Sequence, residues 1–318
     1  MATAPDSAEH LDHADIEAAA ERIAGLVRPI TLARAEPGVP VWLALEHLQH
    51  TGSFKARGAA NFVEAHHLSG ALPAAGVTIA SGGNAGLACA WAAARRGVPA
   101  TVFLPATAPA VKVERLRGYR AQVRLTGSEY AQALAASRDW AAESGALESH
   151  AYDHPLIAAG AGTLLDEIHR ALPEVDTVVV AAGGGGLFAG IATAAARHGI
   201  RTVAVEPERC RALNAALEAG RPVDVDVDSV AADSLGARRA TEMALRAARH
   251  GDTVSVLVTD EQIVTARRAL WRERRLAVEH AAATALAALR SGAYRPAEDE
   301  RVCVVLCGAN TDPADLTP

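Results

Sequence analysis

TVVVAAGGGGLFAGIATAAARHG, residues 177–199, reads as a strand, a glycine turn and a helix in immediate succession. A run of β-branched residues with no polar alternation is what a strand buried on both faces looks like, so the stretch points to a parallel sheet covered by helices. The same unit recurs on either side of it. VTIA (residues 77–80) runs into SGGN and then AGLACAWAAARRG; VPATVFLP is followed by KVERLRGYRA; QVRLT precedes EYAQALAASRDWAAESG. Further on come RTVAVEP, then DTVSVLVTD ahead of the helical EQIVTARRALWRERR, and RVCVVLCG as the last strand. Strand alternating with helix predicts an α/β fold of two open, twisted, mostly parallel sheets with flanking helices. A crossover near residues 151–155 divides the chain into a large domain, residues 1–49 and 156–318, and a small one, residues 50–155. No low-complexity linker separates them, so they are expected to pack closely around a cleft. The first dozen residues carry no periodicity and are expected to form a frayed tail.

At 318 residues, half of them hydrophobic, the chain is long enough for two compact domains. It has no uninterrupted apolar run long enough for a bilayer, so no membrane partner is expected. Its net charge of −6 comes from interspersed acids and bases, without the basic stripe that attracts phosphate backbones, so no nucleic-acid partner is expected. The four cysteines, Cys89, Cys210, Cys303 and Cys307, show no C-x-x-C spacing. The start of the chain lacks a basic-then-apolar leader, and reduced thiols in a cytoplasm are expected. The histidines lie mostly as singles, and the pair at His66 and His67 points to two different faces, so no metal site is expected.

Of the 31 basic residues only Lys55 and Lys112 are lysines. A guanidinium stays protonated, whereas a desolvated ammonium can lose its proton and attack a carbonyl, so a lysine retained in this background hints at amine chemistry. Chance survival of a surface lysine is the alternative. Phe54, directly before Lys55, offers a flat apolar face and can help desolvate the amine. The glycine run Gly183, Gly184, Gly185 and Gly186, opening the helix at Leu187, can close bare amides on a phosphate. It lacks the dinucleotide-binding and P-loop spacings, and a flexible turn is its alternative. SGGNAG, from Ser81 to Gly86, sits at another strand-to-helix junction and can hold a carboxylate, although Ser-Gly-Gly-Asn is also ordinary turn chemistry. A phosphate loop, a carboxylate loop and a protected lysine together point to a pyridoxal phosphate site.

Over roughly residues 28–312 the chain resembles the serine/threonine dehydratase (ammonia-lyase) branch of the fold type II pyridoxal phosphate enzymes, a fold related to the tryptophan synthase β chain. EHLQHTGSFKARGA is similar to the family segment that bears the Schiff-base lysine, which implies that role for Lys55, with Phe54 stacking on the cofactor. SGGNAG resembles the family's carboxylate loop, implying substrate contacts from Ser81, Gly82, Gly83, Asn84 and Ala85, with Asn84 also bonding the cofactor's 3-hydroxyl. VVVAAGGGGLFAGIA resembles the phosphate loop, which assigns Gly183, Gly184, Gly185, Gly186 and Leu187 to the phosphate. VLCGANTD puts Cys307 against the pyridine nitrogen, and DSLGARR puts Ser234 nearest the ring's second face. The resemblance implies a cofactor in the cleft between the domains, a homodimer, a small amino-acid substrate, and dehydration of L-threonine, L-serine or a related β-hydroxy amino acid to a 2-oxo acid and ammonia. Racemisation or β-replacement on the same scaffold, or a silent binding module, are the alternatives.

A thiol is a weak donor and cannot keep a pyridine protonated as a carboxylate would, so Cys307 leaves a poorer electron sink and favours elimination. Cys303 reads as a buried hydrophobe. Serine racemases resemble SSGN where this chain has Gly82, which favours a one-base lyase. Glu206 matches a metal ligand of some relatives, but Cys210 and Ala212 follow where oxygen ligands would be wanted. The few residues after Asn310 are too short for the regulatory domain of biosynthetic threonine dehydratases, so feedback control through one is not expected. AGAGT and EHAAA depart from the family at Ala161, His280 and Ala282, with expected effects on the pocket and its helix contacts.

Overall fold

The computed structural model describes residues 10–35 and 39–316. The sequence expectation of a frayed tail therefore falls largely outside the described residues. At its edge Asp12 N-caps α1 (His13–Ile23) in a capping box with Asp15, an arrangement that satisfies two otherwise unpaired amides.

The strands form two sheets. The larger has six strands, β1 (Leu32–Arg34), β2 (Val41–Ala44), β7 (Thr177–Ala181), β8 (Arg201–Pro207), β9 (Thr253–Val258) and β10 (Val302–Val305), in the order β1-β2-β10-β7-β8-β9. Only the β1–β2 pair is antiparallel; it forms one edge, and every other pairing in this sheet is parallel. The smaller sheet holds β3 (Val77–Ala80), β4 (Ala100–Leu104), β5 (Gln122–Leu125) and β6 (Leu147–Glu148), all parallel, in the order β5-β4-β3-β6. β7 and β10 are buried along their whole length, as their unbroken apolar runs require, whereas the edge strand β5 is largely exposed and carries Gln122 and Arg124.

Helices fill the faces. Around the small sheet lie α2 (Lys55–Leu68), α3 (Asn84–Arg95), α4 (Ala110–Gly118) and α5 (Tyr130–Ser144). The large sheet is flanked by α6 (Pro155–Ala171), α7 (Gly186–His198), α8 (Ala212–Ala219), the single turn α9 (Ala232–Leu235), α10 (Glu242–His250), α11 (Asp260–Arg274) and α12 (His280–Ser291). Each sheet has its own apolar core, and the smaller core draws in Ile23 from α1 and Ile157 from α6. The crossing of α2 over α6 is close: a Cβ at Gly58 would stand 2.6 Å from Ile157 O, and one at Gly160 would stand 2.6 Å from Arg57 O. No L side chain fits at either position, so the crossing depends on glycine.

This crossing is pinned by charge. Arg57, fully buried on α2, makes a two-pronged contact with Glu46 (2.6 and 3.1 Å), another with Glu167 of α6 (2.7 and 3.0 Å), and reaches Thr163 Oγ1 at 3.2 Å. Such paired forks hold a buried guanidinium in one orientation. The start of α2 is thereby fixed relative to both sheets.

Candidate active site

The functional loops lie at the carboxyl ends of the parallel strands, where open α/β sheets bind their ligands. β10 runs on through Leu306 to Cys307 and Gly308, β3 runs into Ser81 and the start of α3, and β7 runs into the glycine turn. Residues 47–54 are laced to the end of β10. His47 N donates to Leu306 O at 2.7 Å, Phe54 N to Cys307 O at 3.0 Å and Ala309 N to Gly52 O at 2.9 Å, and Ser53 bridges Gly308. Thr51 takes a left-handed φ of 60°, an unusual state for a β-branched residue, followed by Gly52 at 79°. This turn brings Lys55, the first residue of α2, beside Cys307.

Lys55 Nζ donates to Ala151 O at 2.6 Å and lies 4.7 Å from the centre of the Phe54 ring. Burial pushes its pKa down to about 8 against the opposing pull of Cys307 and Glu279, so a minority of the amine is free base at neutral pH. Cys307 is buried and its thiol is pushed far up, first by burial and then by Glu279. It stays a neutral thiol. Cys303, inside β10, is raised to about 12 by burial against a hydrogen bond with the Ala44 backbone, and is part of the core.

Asn84, at the start of α3, donates through Nδ2 to both Glu279 oxygens at 2.9 and 3.1 Å, and its Oδ1 accepts from Asn310 Nδ2 at 2.6 Å. Asn310 also donates to Thr51 O at 2.8 Å, closing the network back onto the segment before Lys55. Glu279 is 7% exposed, and burial raises its pKa to about 7 despite the hydrogen bond from Asn84. Ser234 on α9 hydrogen-bonds the same carboxylate. Glu279 thus joins Asn84, Ser234 and Lys55, a role the sequence pattern did not disclose. Its one local signal was an acid directly before the alanine-rich α12. His280 follows at the first helical position, where a proline would also be tolerated, and contacts Arg267 at 3.4 Å; Ala282 and Ala161 are buried.

Around the glycine turn, Gly185 has φ 104°, and a Cβ at Gly184 would lie 2.4–2.5 Å from the Tyr152 ring. Tyr152 follows Ala151, whose carbonyl holds Lys55, so turn and amine share one wall. Gly183 packs at α9, where its Cβ would come 3.1 Å from Leu235 Cα. The first amides of α7, from Gly186 through Leu187, have no carbonyl one turn back and point out of the helix end. On the small-sheet side, a Cβ at Gly82 would meet Leu104 Cδ2 at 2.9 Å, while none of the surroundings crowd Gly83. Lys112 of α4 reaches across to Asp233 beside Ser234 at 2.6 Å, and Arg115 contacts Asn310. The two sides of the cleft are therefore in contact above the network.

Glu206, matched in sequence to a metal ligand, is fully buried and accepts from the amides of Leu213 and Asn214 at 2.8 and 2.7 Å, so it caps α8. Burial raises its pKa to about 8.

These residues fit pyridoxal phosphate. A primary amine of lowered pKa, a neutral thiol, an aromatic face and bare amides at a helix start stand around one cleft, and Ser53 Oγ and Thr51 Oγ1 are buried there without a hydrogen-bond partner. A 3-hydroxyl would share Asn84 with Glu279 and Asn310.

Comparison with known proteins agrees with this geometry. The family described as pyridoxal-phosphate dependent enzyme matches residues 23–308. An L-threonine ammonia-lyase of Geobacter sulfurreducens is 39% identical over 277 residues, covering 86% of this chain and 68% of that protein. A serine dehydratase-like protein of Mus musculus is 36% identical over 286 residues, covering 86% of each. Among solved structures, maize serine racemase superposes with a TM-score of 0.89 at 29% identity, covering 96% of this chain and 95% of that one. With a matching family over most of its length and relatives above a third identical, the chain belongs to the pyridoxal-phosphate dependent enzyme family.

Proposed function

We propose that the protein is a pyridoxal-phosphate dependent ammonia-lyase that converts L-threonine, L-serine or a related β-hydroxy amino acid to a 2-oxo acid and ammonia. The observation that carries this is the Lys55 amine, of lowered pKa, between Phe54 and the neutral Cys307 thiol. The relatives named L-threonine ammonia-lyase and serine dehydratase-like support the choice of substrate. In this reading residues 1–49 and 156–318 hold the cofactor, and residues 50–155 bring the lysine and the carboxylate loop. The protein is read as a cytoplasmic homodimer. Its four free, buried cysteines fit a reducing compartment, and no helix among the described residues is long and apolar enough to cross a membrane.

Gly183, Gly184, Gly185, Gly186 and Leu187 would hold the cofactor's phosphate, with Phe54 and Ser234 on its two faces, Asn84 at its 3-hydroxyl and Cys307 at its ring nitrogen. When bound, the cofactor supplies an aldehyde that condenses with amines and a conjugated ring that draws electrons from Cα. Ser81, Gly82, Gly83, Asn84 and Ala85 bind the substrate carboxylate at the start of α3 and so orient the Cα–H bond toward Lys55. Lys55 Nζ, a free base once displaced, takes the Cα proton. The Cα–H electrons form the Cα–Cβ double bond as the Cβ–O bond breaks, and the proton that Lys55 Nζ took from Cα passes to the departing hydroxyl, which leaves as water. The released enamine tautomerises and hydrolyses to the 2-oxo acid and ammonia. Cys307 holds its own proton throughout, so a ring nitrogen held there would meet only a weak donor and the ring would store little of the charge from Cα, which favours expulsion of the β-hydroxyl. Gly82 offers no acid or base on the opposite face of Cα, which favours the lyase over a racemase.

The test is product analysis with L-threonine and L-serine, for wild type and Lys55→Ala. The reading predicts stoichiometric oxo acid and ammonia without an added nucleophile, no D-isomer, and no turnover in the variant. D-amino acid as the main product, or activity retained in Lys55→Ala, would contradict it.

A further inference from the structure

The fold brings together three side chains that are far apart in the sequence and lie outside the site above. They are His13 at the start of α1, Asp166 within α6 and His198 at the end of α7. Both His13 Nε2 and His198 Nε2 converge on the same oxygen, Asp166 Oδ1, at 3.2 and 3.0 Å. The ligand atoms that the three residues offer all lie within 4.8 Å of one another. Zinc bound at about 2.0–2.1 Å by imidazole and carboxylate in a tetrahedron sets its ligand atoms about 3.3 Å apart. Two of the three edges already have that length. The three side chains are only 15–23% exposed, so they are held by packing.

The surroundings are those of a ligand set. His13 Nδ1 faces Glu17 Oε1 at 3.5 Å, so a carboxylate stands behind one imidazole, as metal-bound histidines usually require. The His198 ring is backed by His169 at 4.2 Å between centroids, and His169 Nδ1 is buried without a hydrogen-bond partner. Asp166 also lines an open groove of about 590 Å³ between the end of α1 and α6. Two imidazoles and a carboxylate suit borderline ions such as Zn²⁺, Ni²⁺ and Co²⁺ better than Mg²⁺ or Ca²⁺, which favour all-oxygen shells.

We propose that His13, Asp166 and His198 form a site for a divalent first-row transition ion of the zinc class, which clamps α1 to α6 and α7. From the sequence, in which these histidines stand far apart, no metal site is expected; the proposal rests on the fold bringing them together. Because Glu167, next to Asp166, holds Arg57, the clamp acts on the same helix that fixes the start of α2.

The test uses the cofactor-loaded protein, chelator-treated and desalted, titrated with Zn²⁺ alone. Equilibrium dialysis with metal analysis is expected to give one ion per chain. Thermal unfolding is expected to shift up by about 4 °C at a hundredfold excess over Kd. Asp166→Asn and His198→Gln should each weaken binding at least tenfold. Cobalt provides a reading on the wild type that needs no variant: its absorption should report nitrogen and oxygen ligands with no thiolate charge-transfer band. Absence of binding at millimolar Zn²⁺, equal binding in both variants, or a thiolate–cobalt band would overturn the site.

Discussion

Replacing Arg57 with methionine tests how the start of α2 is held. The guanidinium is fully buried between Glu46, itself 1% exposed, and Glu167. Removing it keeps much of the side-chain volume but leaves the Glu46 carboxylate buried with no counter-charge, a loss of about 3–5 kcal/mol. With an unfolding entropy of about 2.1 cal/mol/K per residue, the corresponding drop in Tm for a chain of this length is roughly 4–8 °C. The loss has a pH signature. Burial already raises the pKa of Glu46 in the folded protein against the pull of Arg57, and deleting Arg57 raises it further. A folded-state pKa above the unfolded value gives stability that is present at low pH and lost as pH rises through the folded value. The deficit of Arg57→Met relative to wild type should therefore be smaller at pH 5 than at pH 8. Circular-dichroism melts at both pH values measure it. The double variant Glu46→Gln/Arg57→Met, which buries no unpaired charge at position 46, should recover part of the loss. A pH-independent deficit below about 1 kcal/mol, or a double variant worse than the single, would refute the reasoning.

Two further outcomes follow from the site. Glu279→Gln removes a carboxylate whose folded-state pKa is raised by burial to about 7, so the wild type loses stability between pH 4.5 and 7 that the variant keeps; Tm measured against pH should show the variant gaining on wild type by up to about 3 kcal/mol above pH 7. Gly184→Ala drives a Cβ to within 2.4–2.5 Å of the Tyr152 ring, which should cost about 1–3 kcal/mol of stability and lower cofactor retention on dialysis, read by absorbance after desalting.

The central strands were legible because a strand with two covered faces can carry only apolar residues: β7, β8 and β10 announce themselves in VVVA, VAV and VCVV. The β1–β2 edge pair was not, since three residues of Leu-Ala-Arg hold no period and their partner is chosen by the sheet they join. Lys55, Asn84 and Cys307 were singled out in the sequence largely because their motifs resemble those of a known family, and the fold sets Lys55 and Cys307 close to the Glu279 carboxylate that Asn84 bonds. Glu279 was not singled out. Its burial and its bonds to Asn84 exist only once α12 is set beside Gly308, whose absent side chain leaves room for the carboxylate: a Cβ there would lie 2.2 Å from Glu279 Oε1. The same holds for Arg57, whose partners Glu46 and Glu167 come from different elements, and for the cluster of His13, Asp166 and His198. Side chains that meet across elements leave no spacing to read.

With only two lysines in the chain, the central claim has a direct measurement. Borohydride reduction of the cofactor-loaded protein, followed by proteolysis and mass spectrometry, should place the pyridoxyl group on the peptide that contains Lys55 and leave Lys112 unmodified. A pyridoxyl group on Lys112, or none on either lysine, would contradict the account.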